Sequence, residues 1–417
     1  MRKTMIGLRV FTWGTALLPI TAAVIAAYAQ DSGPHHPLLD PSIVRLEDGM
    51  ARYNTKLQAT EAYLPILYPS SHAANLYELK NGDVLCVWFS GTWEGNSGVG
   101  IVVSRRPKGS RNWGPTRLID RQEGVSFQNP VLFQEPDGTL DLYHSTQEAG
   151  AGETHAHVLR LVSRDNGTTW SRATVLFDKP GAFVRDPVVV LPNGSWLLPI
   201  YYSNGVGIGK GPEINYSATE ISGDQGATWK ECFIEGSVGK IQPSVVLLAS
   251  GRLMAFLRSK TSDSIYSSAS SDGCVWRPAT ATVLHNNDAS IQAFRLYDGH
   301  LVMVFNNSSK TAKDGSQRKP LSVALSLDGG ETWPYVRDVE QGRPGYGRPE
   351  ETPRVPGREE YSYPSIIQTR SGEILVAFTF RRQTIKVVSI SEKWIEQGGT
   401  DGEFKGNPRS PTELPAR

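Results

Sequence analysis

An eight-residue pattern, Ser-x-Asp-x-Gly-x-Thr-Trp, is written three times in this chain, at Ser163–Trp170, Ser222–Trp229 and Ser326–Trp333. Ser270–Trp276 is a copy one residue short, and Ser104–Trp113 is a degenerate copy. The pattern reads as a hairpin turn in which the Asp caps backbone N–H groups, the Gly takes a left-handed conformation and the Trp packs beneath the turn. A longer repeat surrounds it. Six times a polar lead-in enters a short apolar run, a Gly-bearing turn follows, and a second apolar run comes after, as in Asn129-Pro-Val-Leu to Gly138-Thr-Leu and Tyr363-Pro-Ser-Ile to Gly372-Glu-Ile-Leu. The turn glycines Gly82, Gly138, Gly194, Gly251, Gly299 and Gly372 are separated by 56, 56, 57, 48 and 73 residues. Each step is long enough for one four-stranded blade, and radial repetition of blades closes a propeller. The expected fold is therefore all-β, a six-bladed propeller, with the segment from Asp31 to Leu67 supplying a strand to the last blade. A seventh blade stays open, because the 73-residue step and Pro41–Gly49 have room for a divergent unit.

Composition limits the function classes. With 43 Lys+Arg against 42 Asp+Glu, nothing points to nucleic acid. Arg2-Lys3, a mostly apolar stretch from Thr12 to Tyr28 and the exit Ala27-Tyr28-Ala29 have the order of a secretory signal peptide. Residues 1–29 are assigned to it, 30–397 to one propeller domain and 398–417 to a flexible tail; a retained membrane anchor is the competing reading of the first segment. The mature protein is expected outside the cell, as a monomer free of the membrane. Sequons at Asn166, Asn193, Asn215, Asn306 and Asn307 are potential glycan acceptors. Three cysteines allow at most one disulfide, with Cys86 in an apolar run as a buried thiol. There is no zinc-type Cys/His spacing and no sign of an organic cofactor, while a structural Ca²⁺ held by carbonyls would leave no motif.

In a propeller the innermost strands begin around the axis at one face, where ligands bind. The repeat alignment places His72, Gln128, Asn129, Arg185, Asp186, Gln242, Asp288, Ser290, Tyr361 and Tyr363 in that ring. His155 and His157 are further candidates to reach the cleft or a metal, and Arg343–Arg358 reads as a long rim loop.

The eight-residue pattern resembles the Asp-box of sialidases and related propellers, over nearly the whole mature chain. The resemblance implies a carbohydrate ligand. It carries over an Arg on the second run of the fourth repeat, Arg258, an Arg ahead of the last box, Arg318, and a nucleophilic Tyr opening the final repeat, Tyr363. Two departures stand against authentic sialidase activity. The first repeat has His72 where sialidases have the Arg that completes a carboxylate-binding trio, and Gln242 stands where they have the Glu that activates the Tyr. The residues His72, Tyr363, Arg258, Gln242 and Asn129 suit β-elimination beside a uronic acid, where the carboxylate is neutralised while His or Tyr moves the proton. In that reading His72 and Tyr363 are catalytic together with Asp186, which positions the sugar ring, Arg258 and Arg318 bind the carboxylate, Asn129 and Gln242 orient it, and Arg185 and Glu94 complete the substrate site. The first repeat is similar to that of sialidase-like propellers acting on acidic polysaccharides, rhamnosyl-glucuronate lyases among them. A glycoside hydrolase, sialidase-like or exo-arabinanase-like, is the rival; it needs two carboxyl groups, with Asp186 opposite Glu94 or Glu360. A glycan-binding propeller without catalysis is the third class.

Overall fold

The computed structural model describes residues 44–203, 215–309, 318–342 and 359–398. They form six antiparallel sheets. Blade 1 runs outward through Ser70–Glu78, Val84–Gly91, Gly100–Arg106 and Arg117–Asp120, and blade 2 through Val125–Gln134, Leu140–Glu148, His157–Ser163 and Thr174–Phe177. Blade 3 has a broken inner strand, Ala182–Val184 and Val189–Val190, both paired to Trp196–Ser203. Blades 4 and 5 begin at Lys240–Leu247 and Gln292–Arg295. Blade 6 comprises Tyr361–Gln368, Ile374–Phe380 and Thr384–Ile390, and the early strand Ala59–Tyr63 closes it, pairing Thr60 with Ser389 and Tyr63 with Lys386. Six blades are present, the ring is closed as the sequence implied, and the stretch before Arg52 adds no seventh among the described residues. The signal segment, the tail beyond Gly398 and the Arg343–Arg358 loop lie outside the described residues.

The second strands show why the sequence folds this way. All eight residues of Val84–Gly91 and of Trp196–Ser203 are buried, because both faces of a blade are covered by neighbouring blades. The packing between blades is aromatic at several points: Phe133 of blade 2 meets Trp196 of blade 3 edge-on at 4.8 Å, and Phe256 of blade 4 meets Trp333 of blade 5 at 5.9 Å. Removing such a Trp side chain costs about 3–5 kcal/mol.

The eight-residue turns behave as their composition requires. Asp165 Oδ1 accepts from the N–H of Thr168 and Thr169 at 3.0 and 2.9 Å, and Asp224 and Asp328 repeat the arrangement with Thr228 and Thr332. These hydrogen bonds hold the Asp224 carboxyl down at about 2. Cys232 and Cys274 form a disulfide joining the outer strand of blade 3 to the shortened turn of blade 4, and Cys86 is a buried free thiol whose pKa burial pushes up. Of the sequon residues, Asn193 is exposed in a turn, whereas Asn306 is fully buried and donates to the carbonyls of Pro320 and Tyr361.

One irregularity recurs at the axis. The inner strands of blades 1, 2, 4 and 6 shift register after their second to fourth residue, between His72 and Asn75, Gln128 and Val131, Ile241 and Ser244, and Ser362 and Ser365. Within these bulges Ala73, Asn129, Gln242 and Tyr363 take φ of 60°, 50°, 53° and 52°, and Asp288 in blade 5 takes 59°. A left-handed non-glycine residue costs of order 1–3 kcal/mol and collects at functional sites. A bulge re-aims its side chain, here into the mouth of the ring.

Candidate functional site

Tyr363 is the centre of a buried polar cluster where the inner strands begin. Its hydroxyl accepts a 2.7 Å hydrogen bond from Arg258 Nη1, and Gln242 Nε2 lies 3.4 Å away. The guanidinium carbons of Arg318, Arg185 and Arg258 sit 5.2, 5.6 and 5.6 Å from its ring centroid. The His72 ring lies against the Tyr363 ring at 4.1 Å and meets Phe89 edge-on at 5.4 Å. Four of the residues expected from sequence, His72, Gln242, Arg258 and Tyr363, thus form one contact cluster, and Arg318 borders it.

Each arginine is aimed by a partner. Asp288 grips Arg258 through Nε at 2.9 Å and Nη2 at 2.8 Å, leaving Nη1 for Tyr363 and for Gln242 Oε1 at 3.0 Å. Glu360 Oε1 accepts from Arg318 Nη1 at 2.7 Å and faces Arg382 Nε at 3.0 Å. Arg382 reaches on to Glu94 Oε2 at 2.6 Å, with its guanidinium 5.6 Å from the Trp93 ring. Burial alone would raise the Glu360 carboxyl, but Arg382 and Arg318 outweigh it and hold it well below the usual carboxylate range. Arg185 spans the axis instead: its Nε bonds Ser290 at 2.9 Å, Nη1 the Ala74 carbonyl at 3.1 Å and Nη2 the Pro364 carbonyl at 2.7 Å. With all three nitrogens occupied by protein, it braces blade 3 against blades 1, 5 and 6.

Asp186 differs from every other acid here. It is 2% exposed, and neither carboxylate oxygen has a hydrogen-bond donor in bonding geometry. Burial pushes its pKa up to about 7, against the opposing pull of Arg185 and the Ser244 hydroxyl. His72 is fully buried, with Nδ1 at 2.7 Å from Thr379 Oγ1 and Nε2 unpartnered. Burial and then Arg382 lower its pKa well below the ordinary histidine value, so the imidazole is neutral.

Asn129 joins the cluster through a residue that lies outside the ring alignment. Its Nδ2 and Gln242 Nε2 both lie 3.4 Å from the Tyr201 hydroxyl. Burial and then Glu153 raise the Tyr201 pKa well above that of a free phenol, so it stays protonated. A signal for Tyr201 was present: it lies seven residues after Gly194, as Arg258 lies seven after Gly251 and Thr379 seven after Gly372. The second strands therefore contribute their own ring. Arg382 had no such signal, since it lies in the turn Arg381–Arg382 between the last two strands of the chain. Tyr361 corrects the expected ring: the bulge after Ser362 turns it outward, against Phe380 at 5.1 Å in the core of blade 6. His155 ends an exposed 3₁₀ turn, Glu153–His155, with Nδ1 3.2 Å from Thr154 Oγ1. Among the described residues, metal-ligand spacing occurs at Asp298, His300 and Glu392, at the hairpin end of blade 5 away from the funnel, where His300 Nδ1 already lies 2.5 Å from Glu392.

Six blades, peripheral Asp-boxes and a funnel of arginines around a tyrosine define a sialidase-like propeller. The fold matches a Hadza microbial sialidase with a TM-score of 0.64 at 15% identity, covering 79% of this chain and 67% of that one. It matches Trypanosoma rangeli sialidase at 0.59 and 13%, covering 84% and 59%, and a Dyadobacter fermentans protein of unknown function at 0.59 and 18%, covering 77% and 94%. The chain belongs to the BNR repeat-like domain family, whose model matches residues 82–376. It is 24% identical over 291 residues to a sialidase of Micromonospora viridifaciens, an alignment that takes in 59% of this chain and 42% of that relative's length.

Proposed function

We propose that this chain is a secreted enzyme that cleaves a glycosidic bond beside an acidic sugar by β-elimination. The observation that carries the reading is the setting of the Tyr363 hydroxyl: it is held by Arg258 and Gln242, and no carboxylate bonds it among the described residues. A tyrosine used as a nucleophile against a sugar needs a base to activate it. A tyrosine used to move a proton at the carbon beside a carboxylate needs positive charge instead, and Arg258 supplies that at the oxygen.

In the proposed step Arg318 and the amides of Asn129 and Gln242 neutralise the substrate carboxylate. Tyr363 acts as its phenolate, its own proton released to water and the resulting charge held by Arg258; its oxygen takes the proton from the adjacent carbon, a carbon–carbon double bond forms, and the bond to the leaving oxygen breaks. Asp186, protonated up to about pH 7, gives its proton to that oxygen. His72 fixes the Tyr363 ring from behind as a neutral imidazole. Arg185 acts as a brace, and Glu94 holds Arg382 rather than sugar. Secretion is supported by the Cys232–Cys274 disulfide, which suits an oxidising compartment.

Hydrolysis is the second reading, favoured by Asp186 as a ready general acid. Around Tyr363, Glu94, Asp288 and Glu360 are each paired with arginine, which leaves Glu153, bonded by the Ser203 hydroxyl beside Tyr201, as the second carboxyl that reaction would need. The test is incubation with a panel of acidic polysaccharides and a sialoside, following absorbance near 235 nm, the approximate band of an unsaturated uronate, alongside reducing ends. Both signals rising together supports elimination. Reducing ends without absorbance would replace it by hydrolysis, and silence on every substrate would leave a binding protein.

A further inference from the structure

A second concave site lies away from Tyr363. A groove of about 950 Å³ lies between blades 6 and 1, lined by the hairpin turns at Asn81–Gly82 and Ser371–Gly372 and by the loop Pro107–Arg111. These turns end the inner strands whose beginnings form the funnel. With nine residues in Ser70–Glu78, the two sites are roughly 30 Å apart on opposite faces.

The groove exists because one Asp-box failed. In blade 2 the box turn lies tight on the blade before it, so that a Cβ at Gly167 would meet Leu85 at 3.0 Å; in blade 5 one at Gly330 would meet Phe256 at 3.0 Å. The blade 1 copy, Ser104–Trp113, has no Asp of its own, takes its cap from Asp83 Oδ1 on the Lys108 N–H at 2.9 Å, and is two residues longer. A Cβ at its Gly109 would meet nothing within 4 Å. The turn stands off from blade 6 and leaves the space open.

The charges in this space do not balance. The acids lining it are each ion-paired, Glu373 with Arg106, Glu78 with Arg370 and Glu61 with Lys386. Lys108 and Arg111, both exposed on the displaced turn, have no hydrogen bond or ion pair from their side-chain ends among the described residues. A groove of this volume holds a short oligosaccharide, and its lining carries five cations, Lys80, Arg106, Lys108, Arg111 and Arg370, against three acids, Glu61, Glu78 and Glu373, an excess that selects an anionic one.

We propose that the groove between blades 6 and 1 is a second binding site for a carboxylated oligosaccharide, with Lys108 and Arg111 as its anion contacts. It anchors a polymer on the face away from the funnel. The choice of carboxylated sugar rests on the proposed function, but binding here is independent of turnover. The test is affinity electrophoresis of the full chain carrying Tyr363→Phe, through gels containing polygalacturonate or neutral arabinan. Retardation by polygalacturonate alone is expected, weakened about tenfold in apparent affinity by Lys108→Glu with Arg111→Glu, and less by the paired glutamine changes. Retardation unaltered by these substitutions would place all binding at the funnel and overturn the proposal. So would absence of retardation, or equal retardation by arabinan. Full activity in Tyr363→Phe would count against the elimination reading alone. An unchanged melting curve for both double variants excludes misfolding as the cause of lost binding.

Discussion

Replacing Asp186 by asparagine separates a residue kept for chemistry from one kept for structure. An aspartate in the unfolded chain titrates near 3.9, whereas burial holds this one at about 7. Between those values the unfolded chain has released the proton and the folded protein retains it, so unfolding is favoured as pH rises. The wild type is thus expected to lose stability from about pH 4 to about pH 7 through this group and no more above that. A span of roughly three pH units, at about 1.36 kcal/mol for each, gives up to ~4 kcal/mol. The asparagine variant carries no such penalty. Asp186→Asn should match wild type in urea unfolding at about pH 4 and exceed it by ~3–4 kcal/mol at about pH 8, while kcat falls by roughly 10²–10⁴ as the proton donor is lost. A gain in stability with a loss of activity is the mark of a group retained against the fold's interest. A constant offset between the two proteins at both pH values, or a less stable variant at about pH 8, would refute the reasoning.

Other outcomes follow from the same contacts. Arg382→Ala removes an arginine from buried Glu360 and should destabilise by about 3–5 kcal/mol in urea unfolding; Arg382→Ala with Glu360→Gln should recover much of that. Asp328→Ala deletes a cap on the N–H groups of Glu331 and Thr332 and should cost about 1–2 kcal/mol with kcat unchanged. Cys232→Ser with Cys274→Ser opens a cross-link between residues 42 apart, an expected loss of about 3–4 kcal/mol measured by denaturation, again without effect on kcat.

The fold was legible because turn chemistry and hydrophobic spacing repeat together: glycine steps of 48 to 73 residues and the capped Asp turns leave little besides a ring of blades. The site was legible where a side chain sits at a fixed distance from a turn glycine, as Tyr363, Asn129 and Gln242 do nine residues before theirs and Arg258 seven after. Tyr201 obeys that second spacing, yet a tyrosine in an apolar strand reads as core. Tyr361 was misplaced because alternation along a strand says nothing about a bulge two residues on. Pairing was the least legible feature. No spacing rule joins Glu360 to Arg318 and Arg382, or Asp288 to Arg258, since Arg318 and Asp288 pair across neighbouring blades and Arg382 meets Glu360 only once the strands Tyr361–Gln368 and Ile374–Phe380 have paired. By sequence Glu94 and Glu360 count as free carboxyls, and the structure has both engaged with Arg382.

In the proposed reaction the bond breaks by elimination and not by attack of water. Digestion of a susceptible acidic polysaccharide in heavy-oxygen water, with the products weighed by mass spectrometry, tests it directly. Elimination adds no oxygen, so both products should contain none of the heavy isotope at the newly formed ends, and the acidic fragment should be lighter by one water than its hydrolytic counterpart. One heavy oxygen incorporated per bond cleaved would contradict the account and assign Asp186 and Tyr363 to hydrolysis.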